Sequence, residues 1–273
     1  MFMRKTIIAV CLVLLTSFNV FASDADYIHP FRLSPVNDSI LLGTGTLLSG
    51  SALFCDSVLK MKEAELDESK LIKGDIMTFD QIFMRPYSKT LHMVGSGAVA
   101  LSMATPLIFY GLQKDELINV GVMYAETLLI ANGIKEWLKI KVDRARPYMY
   151  FDDYPQDKVD DGDWNCSFPS GHTTMAFACA AFTSYVYNLY YPESKSRFAV
   201  LGATFGLAAV TGGLRMASGN HYFSDVFAGA VIGTICGFVV PYMHTELFYK
   251  QFKKSETTNI SASPLGFNFQ IKF

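Results

Sequence analysis

The sequence predicts an all-α bundle of about six apolar helices embedded in a membrane, with no significant β-sheet. Three observations carry this. Apolar residues make up 51% of the 273-residue chain and charged ones only 18%, where average chains carry about 25% charged residues. Six segments approach the roughly 20 apolar residues that a bilayer crossing needs. No stretch in the body of the chain alternates apolar and polar residues as a half-buried strand does. With 23 basic against 25 acidic residues, the chain lacks the positive footprint of a nucleic-acid binder.

Taken in order, residues 1–22 carry Arg4 and Lys5, an apolar run from Ile7 to Leu15 and a small residue at Ala22. That is the pattern of a secretory signal peptide cleaved before Ser23. Residues 23–90 hold an apolar helix at 40–59, rich in Gly, Ser and Thr, and a mixed-charge segment, 60–89, expected to form a peripheral helix. Residues 91–248 form the main helical domain, with apolar runs at 91–112, 117–138, 173–191, 198–214 and 226–247. Short connections at 113–116 and 192–197 make antiparallel neighbours. Glycines recur inside these runs, as at 229, 233 and 237, a spacing that lets helices approach closely. The long connection 139–170 crowds Asp152, Asp153, Asp157, Asp160, Asp161 and Asp163, and is read as a solvated acidic loop because no calcium-loop spacing occurs there. Residues 249–273 are a tail whose last seven residues alternate like a barrel strand, although one strand cannot close a barrel. Cys55, Cys179 and Cys236 sit in apolar runs as small hydrophobes, and with Cys166 alone in a polar loop no disulfide framework follows.

Three short patterns carry chemistry: Lys139-x6-Arg146-Pro147, Pro169-Ser170-Gly171-His172 and Arg215-x5-His221-x3-Asp225. Their ordered occurrence by chance in a chain this long is roughly one in a million. His221 and Asp225, four residues apart, are expected to share a helix face, the carboxylate fixing the imidazole tautomer so that the other nitrogen is free to attack. Ser170 is placed to cap the following helix, and Gly171 lets its N–H groups approach an anion. His172 at that terminus can protonate a departing alkoxide. Lys139, Arg146 and Arg215 supply the fixed cations that a phosphoryl group in transfer requires.

Together these patterns resemble the phosphate-site signature of the type 2 phosphatidic acid phosphatase and vanadium haloperoxidase superfamily, over residues 126–240. One departure is Leu214, where the family usually has Ser before the Arg of the third pattern. The resemblance implies that His221 is the nucleophile of a phosphohistidine intermediate, supported by Asp225, with His172 as the acid. It implies a metal-independent phosphatase, with no cofactor, acting on a lipid phosphate monoester or pyrophosphate; a phospholipid or an isoprenoid lipid phosphate would be its partner in the membrane. Alternatives are a soluble periplasmic acid phosphatase of the same superfamily, a vanadate-dependent haloperoxidase, and a non-catalytic phospholipid-binding membrane protein.

Outside the patterns, Lys135, Lys141 and Arg144 are expected at lipid headgroups, and His29, His92 and His244 in structural or interfacial places. Glu126 lies about 20 Å along its helix from Lys139 and is read as a helix-packing hydrogen bonder. No Cys/His cluster has metal-ligand spacing. The expected location is the inner membrane of a bacterial-type envelope, with the site facing the periplasm. With a cleaved signal, an even number of crossings must precede that site, so 40–59 is expected to be interfacial or re-entrant. Lys114, Lys195, Arg197, Lys250, Lys253 and Lys254 then fall on the cytoplasmic side.

Overall fold

The computed structural model describes residues 29–62, 66–255, 258–263 and 266–271; the expected signal segment lies outside them. Among the described residues, seven helices of eight residues or more follow in order: α1 (Pro35–Ser57), α2 (Lys89–Met103, continued by the 3₁₀ turn Thr105–Gly111), α3 (Lys114–Lys141), α4 (Gly171–Tyr190), α5 (Ser196–Ala217), α6 (Phe223–Met243) and α7 (Glu246–Ser255). Five of them, α1, α2 with its 3₁₀ extension, α3, α5 and α6, are long and apolar enough to cross a membrane. Leu47, Leu53, Leu107, Phe198, Val210, Phe227 and Ile235 stand exposed on their outer faces, as lipid-facing side chains do. The protein is an integral membrane protein.

The sixth helix of the bundle, α4, is the central one. Thirteen of its twenty residues are buried, so its Thr, Ser and Tyr groups meet protein and can be tolerated at membrane depth. It packs against α6, α5, α3 and α2. The α6 contact is closest because Gly229, Gly233 and Gly237 face it: a Cβ at Gly229 would stand 2.7 Å from the Ser170 carbonyl oxygen. An apolar cluster of Phe109, Met123, Phe182, Val186, Tyr187 and Val200 fills the end away from the site.

The 40–59 expectation needs correction. α1 is a full 23-residue helix that lies along α3 in the same direction. Gly45 backs onto Leu129 and Gly133 onto Leu48. Ser49 Oγ donates to the Leu129 carbonyl at 2.7 Å, Asn132 Nδ2 to Ser49 Oγ at 3.1 Å, and Trp137 Nε1 to Ser51 Oγ at 3.1 Å. The Gly and Ser content that suggested an interfacial segment is what permits this close, mutually hydrogen-bonded seam. Six helices therefore alternate in direction. The starts of α2, α4 and α6 and the ends of α1, α3 and α5 share one end of the bundle.

That end is roofed by the connections 58–88 and 142–170. Among its described residues the first holds 3₁₀ turns at Glu68–Lys70 and Lys73–Asp75 and one helical turn, Thr78–Gln81, not a continuous peripheral helix; Gly74 and Pro86 interrupt it. The second contains Pro147–Tyr150 and Gln156–Asp160. Tyr148, Met149 and Trp164 bind the two connections into one cap with Leu66, Leu71 and Tyr87. In the tail, β1 (Thr258–Ser263) and β2 (Gly266–Ile271) pair antiparallel, so the alternating segment finds a partner strand within its own chain and the bundle stays all-α.

Candidate active site

All eight residues singled out in the three patterns come from the capped end of the bundle: Lys139 from the last turn of α3, Arg146 from the connection after it, Ser170, Gly171 and His172 from the start of α4, Arg215 from the last turn of α5, and His221 and Asp225 from the α5–α6 junction. His221 is 1% exposed. Its Nδ1 lies 2.7 Å from the Ser167 carbonyl oxygen; a carbonyl only accepts, so Nδ1 carries the hydrogen. Nε2 is then the nitrogen with the lone pair, and Arg146 Nη1 donates to it at 3.1 Å. Burial, followed by the positive charges of Arg146, Arg215 and Lys139, holds His221 well below the ordinary 6.5. It is a neutral imidazole at neutral pH.

The His221–Asp225 pairing differs from the expectation. Nδ1 stands 3.6 Å from Asp225 Oδ2, beyond hydrogen-bond reach. The reason is local: α6 starts at Phe223, so His221 precedes the helix and the helical four-residue spacing does not apply. Asp225 instead accepts from Ser167 Oγ at 2.6 Å and from the Tyr222 N–H at 2.9 Å. It thereby holds the loop whose carbonyl sets the His221 tautomer, and its charge remains beside the ring.

Asp225 also pairs with Arg144. Arg144 is no headgroup anchor: it bridges to Asp80 Oδ2 at 2.8 Å and to Ser224 Oγ at 2.8 Å, and it lies over the Tyr222 ring at 4.1 Å. Asp80, fully buried, accepts from the Ser224 N–H at 2.9 Å, tying the first connection to the start of α6. Lys135 is likewise buried, against Glu136.

The cations are aimed inward. Arg146 is fixed by Asp163, whose carbonyl accepts from Nε at 2.7 Å and whose carboxylate accepts from Nη2 at 2.5 Å. Burial works to raise the Asp163 carboxyl, but the charges of Arg146 and Lys139 outweigh it and hold it below the usual carboxylate range. The acidic loop read as merely solvated thus contributes a partly buried ion pair. Arg215 is 2% exposed; its Nη1 donates to His92 Nδ1 at 3.1 Å, and its Nε has no partner. Lys139 Nζ lies 3.6 Å from where a Gly171 Cβ would stand, which brings the ammonium to the α4 terminus. Ser170 occupies the N-cap position, but its hydroxyl pairs with Thr173 Oγ1 at 2.8 Å and caps no backbone group. The first N–H groups of α4 are therefore left for an anion. His172 Nε2 is 3.2 Å from Ser96 Oγ, and its ring is 6.3 Å from that of His92.

Two residues of α2, His92 and Ser96, thus belong to the site. Asp80, Arg144, Asp163 and Ser167 support it. None of them has a spacing to the three patterns that marks it in the sequence. Chemically, three cations and a helix N-terminus form a cradle for a tetrahedral oxyanion, a neutral imidazole nitrogen lies within it, and a second imidazole stands at its edge.

Residues 120–249 match the PAP2 superfamily. A lipid A 1-phosphatase of Porphyromonas gingivalis is 35% identical over 111 residues, 41% of this chain and 21% of that protein. Lipid phosphate phosphatase 1 of Arabidopsis thaliana is 30% identical over 142 residues, 42% of this chain and 41% of that protein. The match thus spans less than half of either relative's length. The crystal structure of Aquifex aeolicus LpxE overlaps 62% of this chain and 98% of its own, at 22% identity and a TM-score of 0.43. The segment 120–249, which holds the cradle and both its histidines, belongs to the PAP2 superfamily.

Proposed function

We propose that the protein is a phosphatase of membrane lipids, hydrolysing a phosphate monoester or pyrophosphate through a phosphohistidine. The observation that carries this reading is His221 Nε2, a lone pair held inside a ring of Arg146, Arg215, Lys139 and the α4 terminus. Binding alone needs the cations and has no use for a buried neutral nucleophile. Nε2 attacks phosphorus, the N–P bond forms as the ester P–O bond breaks, and His172, kept protonated by the negative charge of the bound substrate, gives its proton to the departing oxygen. His172 then takes a proton from water, which attacks phosphorus, and the P–N bond breaks to free inorganic phosphate. The fixed cations carry the charge on the equatorial oxygens, so the reaction runs without a catalytic metal.

The lipid-facing girdle favours a substrate that stays in the bilayer over a soluble ester. Phosphatidic acid, phosphatidylglycerol phosphate, undecaprenyl pyrophosphate and a lipid A phosphate all present the required group. We place the protein in the inner membrane with the cradle facing the periplasm. Lys114, Lys195 and Arg197 flank helix ends at the opposite side of the bundle, as the positive-inside bias favours for the cytoplasm. Phosphate release from those four lipids by the purified protein in EDTA at 20 °C tests the activity. Release from at least one, abolished by His221→Ala, is expected; no release from any of them by folded protein overturns the reading.

A further inference from the structure

Toward the end of the bundle away from the cradle, three side chains from three separate elements converge. Asp38 comes from the first turn of α1, Glu126 from within α3, and His244 from the residue after α6. His244 Nε2 lies 3.1 Å from Asp38 Oδ1 and 3.2 Å from Glu126 Oε2, and the three donor atoms all fall within 4.8 Å of one another. Glu126 and His244 are fully buried, while the Asp38 side chain keeps 14% of its surface exposed. The Glu126 carboxylate has no polar partner of good hydrogen-bond geometry, and His244 Nε2 is the group that faces it.

The histidine is oriented as a ligand. Its Nδ1 donates to the Val240 carbonyl at 2.9 Å, which leaves the Nε2 lone pair turned toward two carboxylate oxygens. A bare lone pair and two carboxylates repel one another unless a proton or a metal cation lies between them, and the 3.1 Å to Asp38 Oδ1 is within reach of either. A proton supplies one positive charge against two negative ones, and the remainder stays buried at high cost. A divalent ion balances both carboxylates. The spacing suits one: metal bonds of about 2.0–2.1 Å in a tetrahedral array put ligand atoms about 3.3 Å apart, close to the two distances seen. A backbone carbonyl holding the far nitrogen is the usual support of a metal-bound imidazole.

We propose that Asp38, Glu126 and His244 form a divalent-metal site, its fourth position open to water beside the partly exposed Asp38. One imidazole and two carboxylates suit zinc. The ion would fasten the start of α1 to α3 and to the end of α6. Glu126 stands about 20 Å along α3 from Lys139, so the site takes no part in phosphoryl transfer and is independent of the activity proposed above. The sequence hides it because its ligands are separated by 88 and 118 residues.

The test uses the full chain in detergent, stripped with a chelator, equilibrated with Zn²⁺ and freed of excess by gel filtration. About one zinc per chain is expected in the wild type and in His221→Gln, together with a rise in Tm on loading. Glu126→Gln and His244→Gln should bind at least about tenfold more weakly and lose the Tm response. Where those variants fold poorly, Co²⁺ loading of the wild type and of the conservative, partly exposed Asp38→Asn gives a second readout. The wild type should show the intense visible bands of a tetrahedral site, and Asp38→Asn should weaken them. No retained zinc in the wild type, or equal retention in the Glu126 and His244 variants, means that a proton alone holds the cluster and overturns the proposal. An unchanged cobalt spectrum in Asp38→Asn does the same.

Discussion

Replacing Asp225 with asparagine should slow phosphoryl transfer from every substrate by about 10²–10³-fold. Attack by Nε2 turns a neutral His221 into an N-phosphorylated imidazolium, and Asp225 Oδ2 stands 3.6 Å from its Nδ1. Two unit charges at that separation interact by about 4.6 kcal/mol at an effective dielectric of about 20, which is roughly three decades of rate. Arg144 already pairs with the same carboxylate and offsets part of this, which places the loss below that ceiling. Asparagine keeps the shape and can still accept from Ser167 and Tyr222, while its amide turns a donor toward Arg144, a cost that the Tm reports separately. The assay is a single-turnover quench on phosphatidic acid or another lipid that the enzyme accepts, with Tm measured alongside. Ser167→Ala serves as the control: it cuts the Oγ link at 2.6 Å but leaves the charge in place, and should cost less than about tenfold. If folded Asp225→Asn keeps more than about a third of the wild-type rate, or Ser167→Ala is equally damaged, the carboxylate only holds the loop.

His172→Ala should lose about 10²–10⁴-fold on a lipid alkoxide but far less in the nitrophenol burst from nitrophenyl phosphate, whose leaving group needs no proton. Equal losses on both would make His172 a shaping residue and not the acid. Because His221 is held below 6.5, the transfer step on nitrophenyl phosphate should stay level from about pH 8 to about pH 7. The same shift contributes stability that is complete above pH 6.5 and declines as pH falls toward the folded value; His221→Gln should flatten that part of the Tm–pH curve. Gly229→Ala, whose Cβ would meet the Ser170 carbonyl at 2.7 Å, should cost about 1–3 kcal/mol by thermal unfolding, whereas Gly202→Ala, with nothing within 4 Å, should be neutral or gain up to about 1 kcal/mol. Single cysteines at Lys73 and Lys195 should be labelled by an impermeant reagent from opposite faces of the membrane, and labelling of both from one face would break the helix alternation.

The sequence made legible what is repeated along a helix or compressed into a few residues. Apolar runs gave the six bundle helices to within a few residues, and the three patterns gave the nucleophile candidate and its cations. What escaped is what depends on distance in the chain. Asp80 meets Ser224 across 144 residues and His92 meets Arg215 across 123, and no local spacing encodes such pairs. Arg144 misled for a different reason: a basic residue just beyond an apolar helix is the ordinary mark of an interface anchor, and only the buried Asp80 and Asp225 carboxylates show that it is structural. The His221–Asp225 hydrogen bond failed because the helix begins two residues after His221.

The parallel course of α1 beside α3 joins two questions that look separate in the sequence. α1 starts at the end of the bundle away from the cradle, so Pro35 and His221 face opposite compartments. Export with cleavage after Ala22 would deliver Ser23 to the outer compartment. The twelve residues from 23 to 34 make at most about 18 Å of helix, short of a hydrocarbon core of roughly 30 Å. Removal of the leader at that point and an outward-facing cradle therefore exclude each other. Finding Ser23 at the N-terminus of the mature protein would put the cradle on the cytoplasmic face.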